Sequence, residues 1–505
     1  MGNKTRKGGL QKAVAFVAGL SMIAAMTGCG SAENVQESTA ASVGEQTQTT
    51  TVAEGQVSDY DSIQKPESIS WCSHDGMLPE NGQTEWDAEY EKLTGIKLDH
   101  TYVTGNEYNS KIEMDYAADT VPDVFDLSST FYSKYISEGA VADLTDLVHE
   151  SGLYDQVDES LWEQVSYNGR IYGVPKEVPQ ACGTYMRKDW LDRLGLEVPT
   201  TYEEFINVLE QFRDNIPECQ VPYTAPGLVT TQYIPDFYEG AYCGFVKVDG
   251  KWVDGMQEAN MVNALQNMQD AYKAGLLDME SITNTTATAR DAWNSGNTGA
   301  FCYWTGNWGQ QLTEQLQKNV PDAEVICIPA IAGADYLYST PTVHVINGRL
   351  SDDEIAQVFK YFINYMHDGG EGQVLFEFGV EGVHWEQDGD HVKMLPSLSD
   401  PTVTLNKAYV LPSSRITELQ VEDKKMDYVK AYTDSLAVTD ACAKAQYFQP
   451  VSETYNICAA DLTTIRENTV AEIVTGNVSV EEGLQNYKEQ VAALNMDQIL
   501  TEMNQ

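Results

Sequence analysis

The sequence is short of positive charge. It carries 31 Lys and Arg against 76 Asp and Glu, a formal net charge of −45. Nucleic acid and anionic lipid surfaces both call for a positive partner, so neither is expected. Polyanionic ligands are mildly disfavoured by the same balance. Paired cysteines of the metal-binding kind are missing too: the nine cysteines are scattered and no CxxC occurs. Cys302 and Cys327 sit inside apolar runs (AFCYW and VICIPA), so buried free thiols are the expectation. There is no GxSxG, HExxH, P-loop, GxGxxG or EF-hand-like loop. Carboxylates are so numerous that a neighbouring pair such as Glu203-Glu204 or Asp352-Asp353 reads as a solvated helix face, not an acid/base couple. The chain is therefore not expected to be an enzyme, and no cofactor or metal is called for.

A membrane-spanning run is also lacking in the first thirty residues. Lys4, Arg6, Lys7 and Lys12 make a cationic start, followed by the apolar stretch Ala13–Met26. That stretch falls well short of the roughly 20 residues a span needs. It reads as a secretory signal over residues 1–28. Met26-Thr27-Gly28-Cys29 resembles a bacterial lipobox, with Met26 where leucine is usual, so Cys29 is the expected lipidated N-terminus. From there to residue 65 the chain is rich in Ser, Thr, Gln and Glu and poor in large apolar residues. Such a segment cannot bury enough surface to offset its ordering entropy. It is expected to be a flexible stalk, of a length that suits a Gram-positive cell surface.

The chain is 42% hydrophobic, and the remaining body is long enough for two domains. Short strand patterns (SISWC, IKLDHTYV, PDVFDLS) alternate with helical ones (TEWDAEYEKLTG, EYNSKIEMDYAA). This rhythm predicts mostly parallel sheets flanked by helices. Thr201 is placed to cap a helix over 200–215, with Glu204 completing a capping box. Asn168-Gly169, Asp249-Gly250 and Asp388-Gly389 predict hairpin turns. Beyond about Ile416 the pattern is nearly all helical.

Eight phrases then occur in a recognisable order. They are EKLTGIKLD (Glu91 to Asp99), VPDVFDLS, YISEGAVADLTDLV, NGRIYGVPKE, YMRKDWLDRLGLEVPTTYEEF (Tyr185 to Phe205), AYKAGLLD, FEFGVEGVHW and VAEIVTGNVSVEEGLQNYKEQV (Val470 to Val491). Together they resemble the family 1 extracellular solute-binding proteins, the substrate-capturing lipoproteins of ABC importers, in the branch typical of Firmicutes. The resemblance implies an α/β, two-lobed periplasmic-binding-protein-like fold with crossing hinge strands. Lobe one would hold residues 66–182 with 343–395, and lobe two 183–342 with 396–505. It further implies a monomer on the outer face of the cell membrane that binds a carbohydrate, an oligosaccharide above all, and delivers it to a membrane permease. A peptide or other small solute, a surface-anchored glycoside hydrolase, and a signalling or adhesion module remain the alternatives.

A site that reads sugars needs aromatic faces for the C–H side of the ring and polar groups for the hydroxyls. Nine Trp and 28 Tyr are available. Four strand ends concentrate them. Trp71 and His74 close the first strand. Ser128, Ser129, Thr130 and Tyr132 follow PDVFDL. Tyr233, Asp236, Tyr238 and Glu239 lie in TQYIPDFYEGAY. Trp304, Asn307 and Trp308 lie in CYWTGNWGQ. The last stretch is similar to the place where maltose-binding-type relatives put a stacking tryptophan, which makes Trp308 the first candidate and Trp304 the second. His344 and Trp385 rank below these, and Trp190 is expected to be core.

Overall fold

The computed structural model describes residues 60–505 apart from 75–78, 104, 177, 390, 399–419, 422–425, 447–448 and 451. The signal segment, Cys29 and the stalk up to residue 59 lie outside the described residues. Residues 60–65, assigned above to the stalk, belong to the body. Ile63 is buried, its carbonyl accepts from the Tyr361 hydroxyl at 3.1 Å, and Lys360 Nζ donates to the Tyr60 carbonyl at 2.9 Å.

Nine strands build the two larger sheets. In chain order they are β1 (Ser68–His74), β2 (Lys97–Val103), β3 (Val124–Leu127), β4 (Val174–Pro175), β5 (Cys182–Arg187), β6 (Val221–Thr224), β7 (Thr298–Trp304), β8 (Val325–Cys327) and β9 (Val343–Ile346). The first sheet runs β2-β1-β3-β9-β4 and the second β8-β5-β7-β6. In the first, β1 pairs in parallel with both β2 and β3; in the second, β7 pairs in parallel with β6. Every antiparallel pairing in these sheets involves β4, β5, β8 or β9. Those are the strands that carry the chain from one sheet to the other.

The sheets belong to two lobes, each with its own apolar core. One core draws on Ile63 to Val174 and Val343 to Phe376. The other draws on Cys182 to Ala334 and on the C-terminal helices from Cys458 to Met503. Local sequence explains the helices that cover them. In the helix Gln83–Thr94 the buried residues Trp86, Tyr90 and Thr94 recur every four positions, and Gly95 ends it at φ 70°. In Tyr202–Asn215 the buried set is Phe205, Val208, Leu209 and Phe212, one apolar stripe. Thr201 caps that helix by accepting from the Glu204 N–H at 3.2 Å. Glu204 reaches back one residue further than expected, to the Thr200 N–H at 2.8 Å. Ser479 likewise caps Val480–Ala493.

The hairpins form where expected. Asn168-Gly169 joins Ser166–Tyr167 to Arg170–Ile171, and Asp249-Gly250 joins Phe245–Val248 to Lys251–Asp254. All four turn residues have positive φ, the geometry that matches hairpin twist. Trp190 is core, 3% exposed, with Phe212 edge-on to its ring. The eight described cysteines are all unpaired, and six of them are buried. Burial pushes the Cys72 and Cys219 thiols up to about 12, so they remain neutral.

Two crossing segments, 176–181 and 328–342, lie side by side. Lys176 N donates to the Thr342 carbonyl and Ser339 N to the Gln180 carbonyl, both at 2.8 Å. Ala181 and Tyr338 form an antiparallel bridge, and Leu337 bridges Lys444 from the C-terminal part of the chain. At the start of the first crossing, Lys176 Nζ pairs with Asp126 at 2.8 Å, and His344 Nδ1 reaches the same carboxylate at 2.7 Å. Burial pushes the Asp126 carboxyl up, but Lys176 and His344 outweigh it and hold the group well below the usual range. His344 is thereby a partner of Asp126 inside lobe one. Trp385 is buried too, donating from Nε1 to the Gly379 carbonyl at 2.9 Å.

Candidate functional site

Four aromatic side chains meet at the end of β7. Successive strand residues point to opposite faces, so Tyr303 and Trp304 part company at the last step of the strand. Phe301 and Tyr303 share one face and stack at 5.2 Å and 17°. Tyr233, from the turn Thr231–Tyr233, sits across the strand end and touches both sides. It stacks on Tyr303 at 5.8 Å and 16° and stands edge-on to Trp304 at 5.9 Å and 85°. Gly306 then turns the chain at φ 63° and ψ −122°, a conformation that side-chain-bearing residues rarely adopt. That turn starts the helix Asn307–Asn319 and places Trp308 in its first turn, perpendicular to Tyr303 at 5.2 Å.

Arg290, from the helix Thr286–Asn294, completes the group. Its guanidinium lies 4.7 Å from the Trp308 ring centroid, and Nη1 donates to the Tyr303 hydroxyl at 2.7 Å. Burial pushes the Tyr303 and Tyr233 hydroxyls above the ordinary phenol range, for Tyr303 against the pull of Arg290. Both therefore stay neutral and able to donate. Trp304, Asn307, Trp308, Tyr233 and Arg290 are all half-buried. The result is a partly open group of three half-buried rings, Tyr233, Trp304 and Trp308, packed around the buried Tyr303 ring, with Asn307 and Arg290 at its edges. Among the described residues no cluster of His, Cys, Asp and Glu is arranged to hold a metal ion.

The other sequence candidates are placed differently. Trp71 is a correction: it is 2% exposed, stacked on His100 at 4.2 Å and 14°, and hemmed in by Trp86, Phe362 and Phe376. A ring so enclosed offers no face to a ligand. Tyr132 is also core, its hydroxyl donating to the Val165 carbonyl at 2.9 Å and accepting from Tyr172 N at 3.2 Å. Tyr238 is buried, its hydroxyl donating to the Leu228 carbonyl at 2.7 Å. Asp236 is fully buried and accepts from Thr184 Oγ1 at 2.5 Å. Glu239 accepts from Asn267 Nδ2 at 2.6 Å and braces the helix Met261–Lys273. Ser128 lies half-buried just before the helix Ser129–Ser137. The side chains of His74, Ser129 and Thr130 lie outside the described residues.

Tyr303 and Arg290 were missed in the sequence. Tyr303 is submerged in an apolar strand pattern (AFCYW), and only its position at a strand end marks it. Arg290 lies in TATARDAWN, where nothing local shows which neighbours its helix meets.

Two discontinuous lobes, crossing strands that pair with each other, and an aromatic shelf at the end of a sheet strand define a two-lobed binding protein. The chain belongs to the bacterial extracellular solute-binding protein family, whose profile matches residues 79–363. Lipoprotein LipO of Bacillus subtilis is 21% identical over 416 residues, spanning 77% of this chain and 82% of that one. The diacetylchitobiose binding protein DasA of Streptomyces coelicolor is 24% identical over 257 residues, spanning 50% and 59%. Among solved structures, an HMO-binding, ABC-transporter-associated solute-binding protein from Bifidobacterium longum infantis superposes with a TM-score of 0.64. It is 16% identical, and the match covers 87% of this chain and 98% of that one. That likeness shows the fold.

Proposed function

We propose that this chain is a lipid-anchored capture protein, held to the outer face of the membrane through Cys29, that binds an oligosaccharide and delivers it to the permease of an ABC importer. The observation that carries the reading is the shelf of half-buried rings Tyr233, Trp304 and Trp308, set around the buried Tyr303 at the end of β7. Flat rings suit the apolar face of a pyranose, and Asn307 and Arg290 supply polar atoms for its rim. In this reading the lobes comprise 60–181 with 343–395 and 182–342 with 396–505, and the paired crossing segments are the hinge about which they close. Similar proteins include binders of diacetylchitobiose and fructooligosaccharide, which supports a saccharide as the cargo.

The test is a thermal-shift screen of the purified chain against glycan and peptide panels. A ligand at about a hundred times its dissociation constant adds roughly 2.7 kcal/mol of stability. A clear shift with a glycan and none with peptides is the expected result. Shifts confined to peptides would overturn the carbohydrate reading, and turnover of a glycan in the same tubes would overturn the transport reading.

A further inference from the structure

The arginines among the described residues are almost all spoken for. Seven lie among the described residues. Arg170 pairs with Asp143, Arg187 with Asp189, Arg193 with Glu218, Arg213 with Asp214, Arg349 with Asp119 and Arg466 with Asp254. Arg290 is the seventh, and no carboxylate among the described residues lies within ion-pair distance of it. In a chain with 76 acidic residues against 31 basic ones, an arginine left without a carboxylate is conspicuous. It is also half-buried, so water compensates its charge only in part.

Its setting points at a ligand. One guanidinium nitrogen is engaged by the neutral Tyr303 hydroxyl, which leaves Nε and Nη2 for another acceptor. The guanidinium sits over the Trp308 indole at 4.7 Å and is tied to the Tyr303 hydroxyl, two contacts that limit its orientations. A fork so held matches a planar carboxylate with two parallel hydrogen bonds, a task an ammonium does less well. Trp308 lies in the first turn of the helix Asn307–Asn319, which has no acidic residue there. The positive end of the helix dipole therefore adds to the same local field.

We propose that the saccharide taken by this site is acidic, and that Arg290 binds its carboxylate while Trp308 and its aromatic neighbours take the sugar ring. The inference rests on the carbohydrate reading above. It also limits the ligand. A net charge of −45 repels a long polyanion, whereas one or two carboxylates are screened from distant charge beyond about 8 Å at physiological ionic strength. The occupant is a short oligosaccharide with one or a few uronic or sialic acid units, not a charged polymer.

Isothermal titration of the full chain with matched acidic and neutral probes tests this. The pairs are trigalacturonic acid with its methyl ester, sialyllactose with lactose, and an aldotriouronic acid with xylotriose. In at least one pair the acid should bind about tenfold to a hundredfold more tightly than its neutral partner, the scale of a charged hydrogen-bonded contact. That preference should shrink in high salt, fall in Arg290→Lys, and vanish in Arg290→Gln. The wild-type comparison needs no variant to fold. Equal or tighter binding of the neutral members overturns the role of Arg290 and leaves the carbohydrate reading standing. So does an acid preference that survives in Arg290→Gln. Failure of every glycan, acidic or neutral, alongside binding of a peptide overturns both.

Discussion

Asp236 offers a measurement whose size follows from its surroundings. The carboxyl is fully buried where the short helix Pro235–Tyr238 meets the second sheet. Thr184 Oγ1 donates to it at 2.5 Å. The ionisable groups facing it are Tyr223, Tyr336, Cys302 and Cys327, from β6, the second crossing, β7 and β8. Burial keeps all four of these neutral, and no described cation pairs with the carboxyl. Burial pushes Asp236 from 3.8 up to about 6, with only partial relief from Thr184 and Tyr223.

The sign follows from proton binding. Between pH 3.8 and about 6 the folded state holds a proton on Asp236 that the unfolded chain has released. Stability from this group is therefore complete below pH 4 and is lost as pH rises through about 6. The displacement corresponds to about 3 kcal/mol at 1.36 kcal/mol per pH unit. Asp236→Asn mimics the protonated form and carries no such dependence. Urea denaturation of both proteins from pH 4 to pH 8 should show the variant gaining about 3 kcal/mol on the wild type across that range. Other groups titrate in both proteins and cancel in the difference. A difference that stays flat with pH would refute the account of Asp236 as a neutral buried acid.

Three further outcomes are expected. Trp308→Ala should weaken glycan binding by about 2–3 kcal/mol, roughly 30- to 150-fold, with melting nearly unchanged; a large fall in melting with normal binding by the folded fraction would make Trp308 core instead. Arg466→Met should cost about 3–5 kcal/mol of stability, read by urea midpoint, because it strands the fully buried Asp254 that Arg466 meets at 2.9 Å; a loss under 1 kcal/mol would show that the Tyr487 hydroxyl and Gln257 Nε2, which donate to Asp254 at 2.8 and 3.1 Å, suffice without it. Cys29→Ala should abolish lipidation and release the protein or leave it unprocessed, and mature membrane-bound protein in that variant would remove the anchor.

Much of the fold was legible because its signals are local. Gly95, Thr201, Ser479 and the Asn168-Gly169 pair each act through their own backbone or a residue three or four places away. What the pattern does not contain is direction across the sheet. Trp71 and Trp304 both read in the sequence as aromatic residues near strand ends, yet Trp71 is the middle residue of β1. Trp71 faces the helix Gln83–Thr94 and the rings of Phe362 and Phe376, so it is sealed. Trp304 is at the last position of β7, with Tyr233 as its one aromatic contact among the described residues, and it is half-buried. Two of the rings that decide this difference, Phe362 and Phe376, come from about three hundred positions further along the chain.

The same reasoning explains why the candidate shelf forms where it does. Within a strand, neighbours such as Tyr303 and Trp304 cannot share a face, so only a residue lying across the strand end can gather both, as Tyr233 does. The ends of sheet strands are also where open α/β folds leave a crevice. Here that end is tied to the crossing segments. Thr305, directly after Trp304, donates from N and from Oγ1 to the Ala181 carbonyl at 3.0 Å, and Ala181 bridges Tyr338. The backbone that aims the shelf is thus fastened to both crossings by hydrogen bonds, one turn from Trp308. If the lobes close about those crossings, the shelf moves as part of lobe two, and its rings keep their mutual geometry while the opposite lobe approaches. Stacking surface held rigid in this way costs little ordering entropy at binding.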